Sequence, residues 1–293
     1  MKIHLIAMLR DRVGELCKVG NFDEARHAAN AAVERAEVEL CADRDSILAF
    51  ASALEVRADF LRVLQEWELA RDDYKQAIDQ LEAWHEYCVP LGRLHAGLGA
   101  VHDALGNTAR AIELWQMAIR HFEKATPPAL LEMAAVSNNL AFLKKSTGDL
   151  DGAENAFLKA LEIMHKKRGT YHEETASVCN NLGALYLQSG FYEQAREMHH
   201  MALDARKKCL GDAHVDTAQS YNNLALALIQ MGDKKAAVAH FENAISGLTH
   251  CGASCVDVLQ DVGDNYISYL MAEGEQPVAD LVKTRIAEIQ SSW

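Results

Sequence analysis

Only four prolines and seventeen glycines occur in 293 residues, so little in the chain interrupts a helix. No unbroken apolar run reaches the roughly 18 residues of a membrane-spanning helix, and no membrane segment is expected. The apolar start, residues 1–10, is too short for a signal peptide and lacks a small-residue cleavage site. Positive charge is scarce: 29 Lys and Arg stand against 42 Asp and Glu, a formal net charge of −13. Such a surface repels phosphate backbones, which argues against nucleic acid as a partner and for basic or neutral ones. The seven cysteines (17, 41, 88, 179, 209, 251 and 255) are scattered and odd in number. They form no disulfide framework, as expected of a cytoplasmic protein in a reducing compartment.

Signatures of catalysis are missing too. There is no Gly-rich phosphate loop, no Gly-x-Ser-x-Gly elbow and no His-Glu-x-x-His. His85-Glu86 and His172-Glu173 lack the second histidine, and the neighbours His199 and His200 point apart on a helix. His250-Cys251-x-x-x-Cys255 is the one place for a soft metal, but its ligands are too few and too widely spaced for an ordinary zinc site. No enzyme activity, no metal and no cofactor are expected. Stoichiometric zinc in purified protein would reopen that question.

What the chain does have is repetition. Asn138-Asn139-Leu140 returns 42 residues on as Asn180-Asn181-Leu182, and again as Asn222-Asn223-Leu224. Gly148, Gly190 and Gly232 keep the same step, as do Ala153, Ala195 and Ala237, and Ala160, Ala202 and Ala244. A fixed period of this size marks an array of supersecondary units that bury their apolar faces only by stacking. In one unit Ala176, Val178, Leu182, Leu185 and Tyr186 lie at helical spacing over residues 174–189. Gly190 ends that helix. A second helix carries Ala195, Met198, Met201, Ala202 and Ala205, its alanines placed where two helices approach closely. Each unit therefore reads as an antiparallel helix pair.

Leu182-Gly183-x-x-Tyr186 in the first helix and Ala153-x-x-x-Phe157, Ala237-x-x-x-Phe241 and Ala111-x-x-x-Trp115 in the second resemble the tetratricopeptide repeat. The 42-residue step and the junction Leu210-Gly211-Asp212-Ala213-His214, echoed at His172, look like its kinesin-light-chain type. The family's proline after the junction histidine is Glu173 or Val215 here, and the preceding heptad coiled coil is missing, so kinesin binding is not implied. The resemblance implies an all-α, right-handed α–α superhelix of about seven helix pairs, a single solenoid over 1–293. Two degenerate repeats occupy 1–85, with Gln65 at the glycine position of the second. Four regular repeats follow over 86–250 and a degenerate one over 251–293.

In that family first helices line a concave groove, so residues in phase form ladders. One ladder is Ala96, Asn138, Asn180, Asn222 and Asp264; its neighbour is Gly97, Asn139, Asn181, Asn223 and Asn265. An Asn amide donates and accepts, so a row can pair with the main chain of an extended peptide. Equally, one Asn per unit can bond a neighbouring helix and set the stacking, and the sequence leaves both open. Arg93, Gln219, Phe142, Leu226 and Lys145 join the candidate groove by register. The apolar, amide-rich middle suits a segment with apolar anchors and suits anionic tails poorly. Lys166-Lys167-Arg168 and Arg206-Lys207-Lys208 fall late in second helices, where cations offset the helix dipole. His172 and His214 are expected to serve the inter-unit turn, and Trp115, Phe157 and Phe241 the core.

The expected function is a non-catalytic scaffold or adaptor binding a peptide or partner protein in the groove. The alternative is a peptide-responsive regulator whose superhelical pitch changes on binding. Val278, Leu281, Val282, Ile286 and Ile289 on the last helix, with no unit beyond them, also allow a homo-oligomer.

Overall fold

A computed structural model describes residues 3–84 and 86–293, so Met1, Lys2 and His85 lie outside the described residues. Fourteen α-helices follow one another, and no strand occurs among the described residues. They are α1 (Ile3–Lys18), α2 (Phe22–Val38), α3 (Arg44–Val63), α4 (Trp67–Leu81), α5 (Cys88–Ala104), α6 (Thr108–Lys124) and α7 (Leu130–Ser146). After them come α8 (Leu150–Arg168), α9 (Glu173–Gln188), α10 (Tyr192–Leu210), α11 (Val215–Gln230), α12 (Lys234–Leu248), α13 (Val256–Ala272) and α14 (Gln276–Ser291). A single 3-10 turn, Ala253–Cys255, leads into α13. Fourteen helices are the number that seven pairs require. By contact the chain falls into two compact units, 1–144 and 145–293.

The turns sit where the phase puts them. Gly20, Gly106, Gly148, Gly190, Gly232 and Gly274 all have φ between 74° and 84°. In that left-handed region a Cβ costs about 1–2 kcal/mol, which explains the recurring glycine. Closure follows one pattern: the amide after the glycine donates to the carbonyl five residues back. Examples are Asn107 to His102 (2.8 Å), Phe191 to Tyr186 (2.9 Å) and Asp233 to Leu228 (3.0 Å). Gln65 stands in the same place with φ 59°, and the amide of Glu66 donates to Leu61 at 2.9 Å. The degenerate second repeat therefore keeps the turn while carrying a strained residue in it.

Helix starts repeat as well. Nδ1 of His172 accepts the amide of Glu174, and Nδ1 of His214 that of Asp216, each at 3.2 Å. Thr175 and Thr217 send their hydroxyls back to the carbonyls of Gly169 and Gly211, both at 2.8 Å. The junction histidines are helix N-caps, the turn role expected of them.

Between the two helices of a pair, small residues set the distance. Ala153, Ala160, Ala195, Ala202, Ala237 and Ala244 are fully buried, as are Phe157 and Phe241, and Trp115 nearly so. Trp115 lies across Gly99, and the equivalent His199 across Gly183. A Cβ added at either glycine would come within 2.6 or 2.7 Å of the ring. In the last helix the expected uncovered face is narrower than the sequence suggests. Val282, Ile286 and Ile289 are buried in the core with α13, which leaves Leu281 and Val278 outward.

Gln65→Gly relieves the left-handed strain, offset in part by the extra chain entropy of glycine, and is expected to raise stability by about 0.5–1 kcal/mol. Chemical denaturation of the two proteins measures it. Equal or lower stability of the variant would show that the turn at Gln65 is unstrained.

Candidate functional site

In the second unit α11 lies beside both α9 and α13. A cavity of about 490 Å3 opens along α11 and α13, and the side chains of Gln219, Asn223, Asp261 and Asn265 line it over Leu226 and Val258. The period explains why these meet. Asn223 and Asn265 share one phase position and Gln219 and Asp261 another, so each pair points the same way from neighbouring helices.

The two asparagine ladders do different things. Asn180 is buried: its amide nitrogen donates to Oγ of Ser220 at 3.3 Å, and its oxygen takes Nδ1 of His199 at 3.1 Å. Asn222 is buried too, and its oxygen accepts the amide of Asn265 at 3.2 Å. Both amides thus bridge helices, α9 to α10 and α11 in one case and α11 to α13 in the other. In the neighbouring ladder, Asn181 and Asn223 are only half-buried. Gln219 is exposed, Leu226 half-buried at the core edge, and neither Gln219 nor Asn223 bonds a side chain among the described residues. Lys145 is half-buried, and burial lowers its pKa.

The first unit holds a different cavity, of about 310 Å3, lined by Arg93 of α5 and Asn139 of α7. Asn138 beside it is half-buried, and Phe142 a turn further is exposed. Arg93 does not present a bare charge. Its Nε and Nη2 grip the buried Glu55 at 2.8 and 3.1 Å, and Arg10 binds the same carboxylate at 2.7 Å. Arg62 and Asp59 line the cavity as well. Nothing in the period points to Arg10, Glu55 or Arg62, because the first two repeats hold the phase too loosely for a ladder to be drawn through them.

Arg206 departs from its expected role. Lys207 and Lys208 are exposed near the end of α10 as dipole partners should be, but Arg206 is buried. Its Nη1 donates to the carbonyl of Asp216 at 2.8 Å and to Ser220 at 3.0 Å, and burial lowers its pKa. It extends the Asn180–Ser220–His199 network between α10 and α11. One sign of this network is readable in the sequence: the 42-residue step places His199 where Phe157 and Phe241 stand.

Two histidines, His95 and His199, are buried among the described residues. His95 donates Nδ1–H to the carbonyl of Leu91 at 2.8 Å and stacks on His121, ring centroids 5.1 Å apart. Burial pushes His121 and His199 down to about 4. With its Nδ1 proton given to Asn180, His199 keeps a buried Nε2 that no group meets. Among the described residues no three His, Cys, Asp or Glu side chains converge as metal ligands, and no helix is long and apolar enough to cross a membrane.

A chain of stacked helix hairpins with one fixed period is an all-α repeat solenoid. The family model for the tetratricopeptide repeat matches residues 132–190 and 180–249, so this stretch of the chain carries tetratricopeptide repeats. Such repeats generally bind proteins or peptides. No curated protein matches the chain. Among solved structures, BtubC (BKLC) from P. vanneervenii superposes with a TM-score of 0.69 at 24% identity, over 77% of this chain and 90% of that one. The apo form of RapI does so with 0.66 at 12% identity, over 98% and 97%. A putative kinesin light chain from Podosopora anserina, with nearly identical tetratricopeptide-like repeats, gives 0.59 at 16% identity, over 69% and 96%. These likenesses establish the fold.

Half-buried His121 and buried His199 set a pH response. His121 and His199 hold their protons less tightly folded (about 4) than unfolded (about 6.5), so the unfolded chain binds more protons between those values. Their contribution is complete above about pH 6.5 and lost as the pH falls toward 4. His199→Phe, which copies Phe157 and Phe241, is expected to flatten the decline between pH 7 and pH 5 in urea titrations. An unchanged slope would show that His199 takes up no proton on unfolding.

Proposed function

We propose that the chain is a non-catalytic interaction scaffold whose second unit holds an extended segment of a partner protein along α11 and α13. One observation carries this reading: Gln219 and Asn223 put side-chain amides into a cavity and bond no side chain among the described residues. Amides placed so can donate to and accept from a peptide main chain whatever its side chains. Leu226 and Val258 offer an apolar floor for one side chain of the segment, and the division between bridging and outward asparagines supports the same reading. The helices beneath are fixed by buried packing, so the cavity is preformed and little ordering energy is lost on binding.

Selection of a displayed library of random dodecamers on the full chain tests this. Enriched peptides are expected to lose about tenfold in affinity on Gln219→Ala/Asn223→Ala, since two neutral hydrogen bonds are worth about 1–3 kcal/mol together. Gln194→Ala, outside the cavity, should leave them unchanged. Equal binding to wild type and the double variant would refute the amide role.

A further inference from the structure

The cavity along α11 and α13 is uneven in charge. Its nine lining residues comprise four amides (Gln219, Asn222, Asn223, Asn265), three apolar side chains and the carboxylates of Asp261 and Asp264, with no Lys, Arg or His. The two carboxylates are three residues apart on α13, hence on one face, and both are exposed. Asp261 makes no ion pair or hydrogen bond among the described residues, and Asp264 only accepts the amide of Gln260 at 2.9 Å. Asp257, one turn earlier on the same face, is exposed as well. The first unit's cavity contrasts, with Arg10, Arg62 and Arg93 balancing Glu55, Asp59 and Glu132.

Asn222 is 8% exposed and lines the same cavity. Its oxygen is satisfied by Asn265, but its amide nitrogen donates to no acceptor among the described residues. That nitrogen is not among the buried atoms left without a partner, so it is reached from the cavity and is open to an acceptor brought there. A main-chain carbonyl is the acceptor an extended segment brings.

We infer that the occupant of this cavity is a cationic extended peptide, with a lysine or arginine set against Asp261 and Asp264 and a main-chain carbonyl on the Asn222 amide. This rests on the groove reading above and adds the chemistry of the partner. A cation is attracted by both carboxylates, whereas an anionic segment meets two negative charges that nothing nearby offsets. The attraction is between partly exposed groups, so it weakens with added salt.

The same dodecamer library separates this inference from the reading beneath it. It is selected in parallel on four full-length proteins: wild type, Asp261→Asn/Asp264→Asn, Gln219→Ala/Asn223→Ala, and Glu193→Gln/Glu197→Gln on the exposed side of α10. All three sets of substitutions lie outside the core. Peptides enriched on wild type and on the α10 variant are expected to carry at least threefold more Lys and Arg than the unselected library. The excess should vanish on Asp261→Asn/Asp264→Asn. An excess that survives on that variant overturns the inference, because the cation then lies elsewhere. Enrichment without charge bias, lost on Gln219→Ala/Asn223→Ala, overturns the inference and leaves the groove reading standing. No enrichment on any protein overturns both.

Discussion

The close approach of two helices is the constraint on which the rest of this structure depends. Ala153, Ala195 and Ala237 are wholly buried, and so are their partners a turn or two on, Ala160, Ala202 and Ala244. At each of these positions a larger side chain would force the backbones apart, because a packed interior has no room to yield. Aromatic rings then reach across the pair onto small residues of the first helix, as Trp115 does onto Gly99. Once this spacing is fixed, the outward residues of the first helices stand at set intervals whatever they are.

Repetition then lets the asparagines divide their work. Asn180 and Asn222 turn inward and bridge helices, while Asn223 turns to the cavity. A bridging amide in a low-dielectric interior is worth most when every partner is present, so Asn180, Ser220, His199 and Arg206 form a network rather than isolated bonds. The network is incomplete. Nε2 of His199 and Nε of Arg206 are buried without partners, a stability cost located in the middle of the most regular part of the chain.

Much of the architecture was legible before any coordinates. The glycine phase marks the turns because only one backbone conformation closes them, and the alanine phase marks the helix contacts because only small side chains fit. Even Gln65, one residue out of the 42-residue phase, reads as the glycine position of its looser repeat, and its positive φ follows from closure rather than from its own preference. The charges were less legible. Arg93 reads as an available cation because nothing in a one-dimensional period shows that Glu55, 38 residues earlier, sits beneath it. Arg206 reads as a surface charge for a similar reason: direction on a helix is readable, but the partner that draws a long side chain inward is not. For the asparagines the period shows the ladders and stays silent on which one faces a neighbour. That depends on a serine on one flanking helix and a histidine on the other.

The central claim is that packing leaves the outward face of α11 and α13 as the place where a partner is held. Amide hydrogen exchange of the full chain, alone and with a selected dodecamer at saturation, tests it most directly. The account predicts added protection centred on α11 and α13, with the outer helix α10 unchanged. Protection confined to α10, or to the first unit, would contradict it.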